Sequence, residues 1–218
     1  MAAMENIIQA YSLCKTYGGR KVIDNMSFCV PRGSFTACVG PSGAGKSTIL
    51  NMIGLLESID SGYIEYDGVK MPSINSVKAT KMRRNNINYL FQSFALIADS
   101  SVEDNLLYAM QYVKKSKKEK RKEIAEALES LGVAHVQKNN VNTLSGGESQ
   151  RVALARCIVK PGDLVLADEP TGSLDEQNSE NVFELLSRLR DERGKTIVMV
   201  THDMSLANKC DDIISLHK

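Results

Sequence analysis

The sequence predicts an α/β fold with a mainly parallel central sheet, an N-terminal antiparallel β-subdomain and an inserted α-helical subdomain over about 93–160. Three observations predict it. Runs such as "DLVLAD" (163–168) and "KTIVMVTH" (195–202) are almost continuously apolar, as expected of parallel strands covered on both faces. They alternate with segments of helical periodicity, the order that builds a parallel sheet. The glycine-rich "GPSGAGKST" (40–48) joins an apolar strand to an apolar helix, marking a strand–loop–helix unit at the heart of the fold.

In chain order, "NIIQAYSLCKTY" and "RKVIDNMSFCV" read as strands joined by the turn Gly18–Gly19, and "PRG" (31–33) makes a second turn. "SFTACVG" is a short apolar strand. "KSTILNMIGLLE" follows as a helix with Ile49, Leu50, Ile53 and Leu56 on one face, ended by "SIDSG". "YIEYDGVK" is a strand with an Asp-Gly turn, and "NINYLFQ" is a buried strand ending at Gln92. "SVEDNLLYAMQYV" is an amphipathic helix. "SKKEKRKEIAEALESLG" is another, opened by a capping box at Ser116 and Glu119 and closed by Gly132. "ESQRVALARCIV" is a third helix, which starts at "LSGG" and ends the helical stretch. "DLVLAD" then returns to strand. "EQNSENVFELLSRLRDERG" is a helix with Val182, Leu185, Leu186 and Leu189 towards the core. "KTIVMVTH" is a strand, "DMSLANKC" a short helix and "DDIISLHK" a last strand.

Composition narrows the function. With 218 residues, 43% hydrophobic and 24% charged, the chain supports a real core and one domain spanning 1–218. A net charge of +1 lacks the basic excess of a nucleic-acid binder. Cys14, Cys29, Cys38, Cys157 and Cys210 form no CxxC pair, so buried or partly buried free thiols are expected rather than a disulfide framework or a zinc site. "MAAMENIIQAYS" shows no secretory leader, and no apolar run approaches the roughly 20 residues a bilayer crossing needs. The basic run "KKSKKEKRKE" (114–123) is interrupted by Glu119 and Glu123. It reads as a solvated helix face, with attraction to anionic lipid as the alternative.

Four features carry chemistry. "GPSGAGKST" fits GxxxxGK[ST], with Gly40, Gly45, Lys46 and Ser47 in place, between strand and helix. In that context the glycines let backbone wrap phosphates, Lys46 reaches the β- and γ-phosphates and Ser47 binds Mg²⁺. Asp168 and Glu169 emerge at the end of an apolar strand, where α/β sheets bind ligands. Carboxylates there are costly unless they hold a metal or a proton: Asp168 suits Mg²⁺ and Glu169 suits a base acting on water. "LSGGESQ" (144–150) is a second glycine turn opening a helix, a shape that binds anions. Gln92 and His202 each follow a buried strand.

Taken together and in order, "GPSGAGKST", Gln92, "LSGGESQ", "LVLADEP", "SLD" and His202 closely resemble the ATP-binding-cassette ATPases, members of the P-loop NTPase fold. The resemblance covers essentially the whole chain. "VLADEPTGSLD" and "NMIGLLESIDSG" are similar to the bacterial cassettes serving MacB-, LolD- and FtsE-type permeases. "YLFQSFALIADSSVEDNL" is similar to cassettes of bacteriocin or antimicrobial-peptide exporters.

The resemblance implies a role for each matching residue. Tyr17 would stack on adenine. The loop Gly40–Thr48, including Ser42, Gly43, Gly45, Lys46, Ser47 and Thr48, would hold the phosphates. Gln92 would touch Mg²⁺ and the attacking water while sensing a permease. His202 would hold the γ-phosphate and orient Glu169, and Asp175 would lie at a dimer seam. Ser145, Gly146 and Gly147 of one copy would close over the ATP of another. The whole would be an ATPase with ATP and Mg²⁺ as cofactors. It would form an ATP-dependent homodimer, driving a separate membrane permease from the cytoplasmic face without nucleic acid as partner. A nucleotide-dependent signalling or scaffold cassette is the alternative reading.

Overall fold

The computed structural model describes residues 5–172 and 174–216. The first four residues of the leader reading, Ser173 of "SLD" and the last two residues of the expected final strand lie outside the described residues. The chain divides into two units, the first running up to Tyr89 and resuming at Gly162, the second being Leu90–Pro161.

The first unit holds two sheets. β1 (Asn6–Tyr17) and β2 (Arg20–Pro31) pair antiparallel across the Gly18–Gly19 turn, with Ile8 opposite Val30 and Tyr17 opposite Arg20. β4 (Ser61–Tyr66) pairs antiparallel on the other edge of β1, and β5 (Val69–Lys70) follows it through the Asp67-Gly68 turn. The other sheet has the order β6-β7-β8-β3-β9, from β6 (Ile87–Leu90), β7 (Leu164–Asp168), β8 (Thr196–Val200), β3 (Phe35–Val39) and β9 (Asp212–Ser215). β7 with β8, β8 with β3 and β3 with β9 are parallel. Every residue of β3 and β8 is buried, which is why these strands show no alternation in sequence. α1 (Lys46–Ile53) and α6 (Glu176–Arg193) flank this sheet, and Phe183 of α6 stacks on Phe35 at 4.9 Å between ring centroids.

Several segments depart from the sequence reading. The P-loop helix ends at Ile53, not Glu57: Gly54 caps it, Leu55 takes φ 56° and Leu56 is 45% exposed. On α6 the buried face is Val182, Phe183, Leu186 and Leu189, with Leu185 only half-buried. α2 (Val77–Asn85) was not expected, because it buries only Ala79 and so shows no apolar period; its Arg83 donates to the carbonyls of Leu55 and Ile74.

The second unit packs α3 (Val102–Ala109), α4 (Lys117–Ser130) and α5 (Gly146–Val159), joined by short 3₁₀ turns. Glu103 of α3, with a side chain only 5% exposed, ties α3 to α4 and to the loop before α5: Arg121 Nε donates to Oε1 at 2.8 Å, and Gln137 at 2.8 Å and Lys138 donate to Oε2. Those donors hold its carboxyl down to about 2 against the opposing pull of burial. Part of the basic run is therefore structural, since Arg121 serves Glu103 and Lys115 pairs with Glu123 at 2.6 Å. α7 (Met204–Ala207) belongs to the first unit. Among the described residues no helix is long and apolar enough to cross a membrane. The cysteines are free, as expected, but Cys29 is exposed, because its position on β2 faces outward.

Candidate active site

The buried strand β3 feeds directly into the glycine loop. Gly40 takes φ 154°, and a Cβ there would stand 2.7 Å from the Leu216 carbonyl oxygen. Gly45 takes φ 96°, and a Cβ there would stand 2.6 Å from Ile23 Cδ1 and 2.9 Å from Val22 Cγ1. Backbone conformation and close packing both demand glycine at these two places. Gly45 also N-caps α1, so no side chain satisfies the helix's first N–H groups, and no acidic residue sits in its first turn. Those donors and the positive end of the helix are open to an anion. Lys46 is nearly buried, and its Nζ donates to the Gly40 and Pro41 carbonyls at 2.9 and 3.2 Å. Among the described residues no carboxylate pairs with it, so its charge is available to a phosphate.

β7 carries the carboxylates. Leu164–Ala167 are fully buried, and Asp168 ends the strand facing α1, where Ser47 Oγ donates to Asp168 Oδ1 at 2.9 Å. Burial pushes the Asp168 carboxyl above its ordinary value; the Ser47 bond opposes this and the neighbouring Glu169 charge adds to it. Glu169 sits at φ 48°, a left-handed conformation for a residue with a side chain. This costs on the order of 1–3 kcal/mol, and such strain gathers at functional sites. Its N–H donates to the Val200 carbonyl at 3.1 Å, which fixes the turn. The parallel register places Asp168 beside Val200. Hence His202, two residues beyond Val200, comes alongside Glu169, with Nδ1 2.8 Å from Oε2. Two residues 33 positions apart in sequence thus become one hydrogen-bonded pair.

Lys46, Ser47, Thr48, Ser42, Gly43, Gly45, Tyr17, Glu169 and His202 line one open cleft of 440 Å³, together with Val22. Tyr17 ends β1 with 44% of its surface exposed, and Lys15 Nζ lies 5.2 Å from its ring centroid. Lys15 is in turn held by Glu57 at 2.7 Å, Asp60 at 3.3 Å and the Ser58 carbonyl at 2.8 Å. Val22 and Lys15 were not read as site residues, because one is an ordinary strand valine and the other an ordinary strand lysine. Asp175, also in the first unit, N-caps α6 by accepting from the Asn178 N–H at 2.8 Å.

The remaining residues lie in the second unit. Gln92 is exposed and occupies the turn after β6, because the strand stops at Leu90; the expected strand ending at Gln92 is two residues too long. Ser145 N-caps α5, and Gly146 and Gly147 form its first turn. Among the described residues, a Cβ on either glycine would meet no heavy atom within 4 Å.

The profile of the family described as "ABC transporter" matches residues 23–172. A macrolide export ATP-binding/permease protein, MacB, of Mannheimia succiniciproducens is 37% identical over 215 residues, covering 97% of this chain and 33% of the relative. Its counterpart from Campylobacter jejuni is 36% identical over 205 residues, covering 94% and 32%. The chain therefore spans about a third of the length of these relatives. Among solved structures, the dimeric bacterial ABC transporter cassette MJ0796 superposes with a TM-score of 0.86 at 35% identity, covering 96% of this chain and 94% of that one.

Proposed function

The chain belongs to the ABC transporter family, and on that premise we propose that residues 1–218 act as one nucleotide-binding domain that hydrolyses ATP, closes as an ATP-dependent homodimer and drives a membrane permease of the MacB/LolD type. The observation that carries this reading is the assembly, around one cleft, of an uncapped helix N-terminus, a Lys46 that no carboxylate among the described residues pairs with, and the Glu169–His202 pair.

The site also fits Mg²⁺. Ser47 and Asp168 are already in contact, and burial makes the Asp168 carboxylate's negative charge costly, a cost that a cation would relieve. Among the described residues no three His, Cys, Asp or Glu side chains are grouped to cage an ion. Mg²⁺ commonly takes one or two protein ligands and fills its shell with phosphate oxygens and water, so Ser47 and Asp168 would suffice. Bound there, the ion would neutralise phosphate charge. The chain's own groups do the rest. The N–H groups at the start of α1 and Lys46 grip the phosphates. Glu169 accepts a hydrogen bond from water and raises its nucleophilicity. His202, anchored through Nδ1, keeps Glu169 oriented and presents its other nitrogen to the γ-phosphate. Tyr17 offers an exposed face for the adenine ring.

Dimerisation is proposed from the second glycine turn. Among the described residues nothing crowds a side chain at 146 or 147, so those surfaces suit the close approach of another molecule's phosphates. MJ0796 is described as a dimeric cassette. The curated relatives are named for macrolide export and the segment 89–106 resembles peptide-exporter cassettes; their common element is export, and we propose that direction here. Complementation tests the shared site. Lys46→Ala and Ser145→Arg should each abolish ATP hydrolysis alone, and mixing the two proteins should restore it, because one of the two mixed sites is intact. No regain at any mixing ratio would refute composite sites.

A further inference from the structure

We infer that His135 is a positioning residue for the Ser145 hydroxyl, acting through Glu148. The inference rests on the proposed contact of Ser145 with a neighbouring copy's nucleotide. Its geometry lies within the second unit and stands independently.

Three side chains meet at the start of α5. Glu148 Oε2 accepts from the Ser145 backbone N–H at 2.8 Å and from the Ser145 hydroxyl at 2.6 Å. Ser145 Oγ in turn accepts from the Glu148 N–H at 3.3 Å. The box is closed, and the proton of the serine hydroxyl is committed to Glu148. The other carboxylate oxygen, Oε1, lies 3.0 Å from His135 Nε2, which comes from the 3₁₀ turn Ala134–Val136. A capping box needs no such partner. α4 opens with the same device, Ser116 and Glu119, and among the described residues no histidine bonds to Glu119.

The consequence follows from the hydroxyl's single proton. To donate to a phosphate, Ser145 Oγ must release Glu148. The bonds around it, led by that of the Ser145 side chain, hold the Glu148 carboxyl down to about 2, so it remains a competing anion at any working pH. A donor on Oε1 draws carboxylate charge away from Oε2 and fixes the carboxylate plane. His135 thereby keeps Ser145 Oγ aimed along one direction while weakening the grip on its proton. The imidazole is 66% exposed, so the bond itself adds little to stability; its effect is on the serine.

The test uses the Glu169→Gln protein, whose ATP-bound dimer should persist long enough for sedimentation equilibrium in Mg-ATP. His135→Ala should weaken that dimer by roughly three- to tenfold, the scale of one charge-assisted hydrogen bond impaired rather than lost. His135→Gln, which keeps an N–H donor, should recover most of the affinity. On a Ser145→Ala background, His135→Ala should have no further effect. Melting curves of the His135 variants should overlay the parent's. An unchanged dimer in His135→Ala beside a weakened one in Ser145→Ala overturns the positioning role and leaves the shared site standing. Additive losses in the double variant place His135 outside the serine's path and also overturn it. No effect of Ser145→Ala alone would instead bring down the shared-site reading, and this inference with it.

Discussion

At Gly45 an added Cβ would stand 2.6 Å from Ile23, and at Gly40 2.7 Å from the Leu216 oxygen; at Gly146 and Gly147 it would meet nothing within 4 Å among the described residues. The two glycine turns also differ at their helices. α1 begins on Gly45, with no side-chain cap, so no side chain takes up the N–H groups of its first turn. α5 begins on Ser145, whose capping box with Glu148 already satisfies part of the helix end. The first turn is explained by the chain that contains it. In the second, two glycines in a helical turn cost up to about 0.5–1 kcal/mol each relative to alanine, and among the described residues no close contact at either position calls for glycine. A surface that the chain's own packing does not require is a surface shaped for something else, which is the physical argument for a partner molecule.

Substitutions separate the two regions, and the largest effect belongs to the first. Glu169→Gln should slow hydrolysis by about 10²- to 10⁴-fold while nucleotide binding persists. Phosphate release assays and size exclusion in Mg-ATP would show a slow enzyme that elutes as a dimer. Hydrolysis at the parent rate would remove Glu169 from the chemistry. Next, Gly45→Ala should lower unfolding free energy by about 1–3 kcal/mol, from overpacking against Ile23 and Val22 and from its left-handed φ. It should also abolish nucleotide binding in calorimetry; a stable, ATP-binding variant would mean that the first turn is as tolerant as the second.

A comparable loss is expected at the platform of the second turn. Glu103→Gln should cost about 1–3 kcal/mol, because buried hydrogen bonds to a charged group become bonds to a neutral one. Glu103 has its carboxyl depressed from 4.5 to about 2 in the folded protein. Its contribution is therefore fully present above the unfolded value and is lost as pH falls through that window. Acid melts of parent and variant should converge near pH 2, and parallel curves would count against the assignment. The smallest change in stability is predicted for Gly147→Ala, which should raise it by up to ~1 kcal/mol yet weaken ATP-driven dimerisation. If dimerisation survives intact, the contrast between the turns loses its meaning.

Legibility in the sequence followed the range of the interactions. α6 was readable from Glu176 to Gly194, because Gly194 caps it in the left-handed conformation and Asp175 caps its start, all within one segment. The Ser116–Glu119 box was readable for the same reason. α2 was not, since it buries a single alanine and is held by Arg83 reaching distant carbonyls. The end of α1 and the stop of β6 before Gln92 were misjudged where apolar residues continue past the hydrogen bonding: Leu56 looks like core and is exposed. The glycine loop and the carboxylate pair were readable as chemistry. Val22 in the cleft wall and Lys15 under Tyr17 carry no local signal at all.

The sequence by itself determined the strands, most helices, the phosphate-binding loop and the residue types available for catalysis, because these depend on local backbone preferences and on apolar period. Only the tertiary structure decided which of those residues touch. Parallel pairing of β7 with β8 brings His202 to Glu169 across 33 positions, and the approach of α1 brings Ser47 to Asp168 across 121. Packing around the start of α5 brings His135 to Glu148. Such contacts are set by sheet register and packing, which the whole chain fixes at once and no single segment encodes.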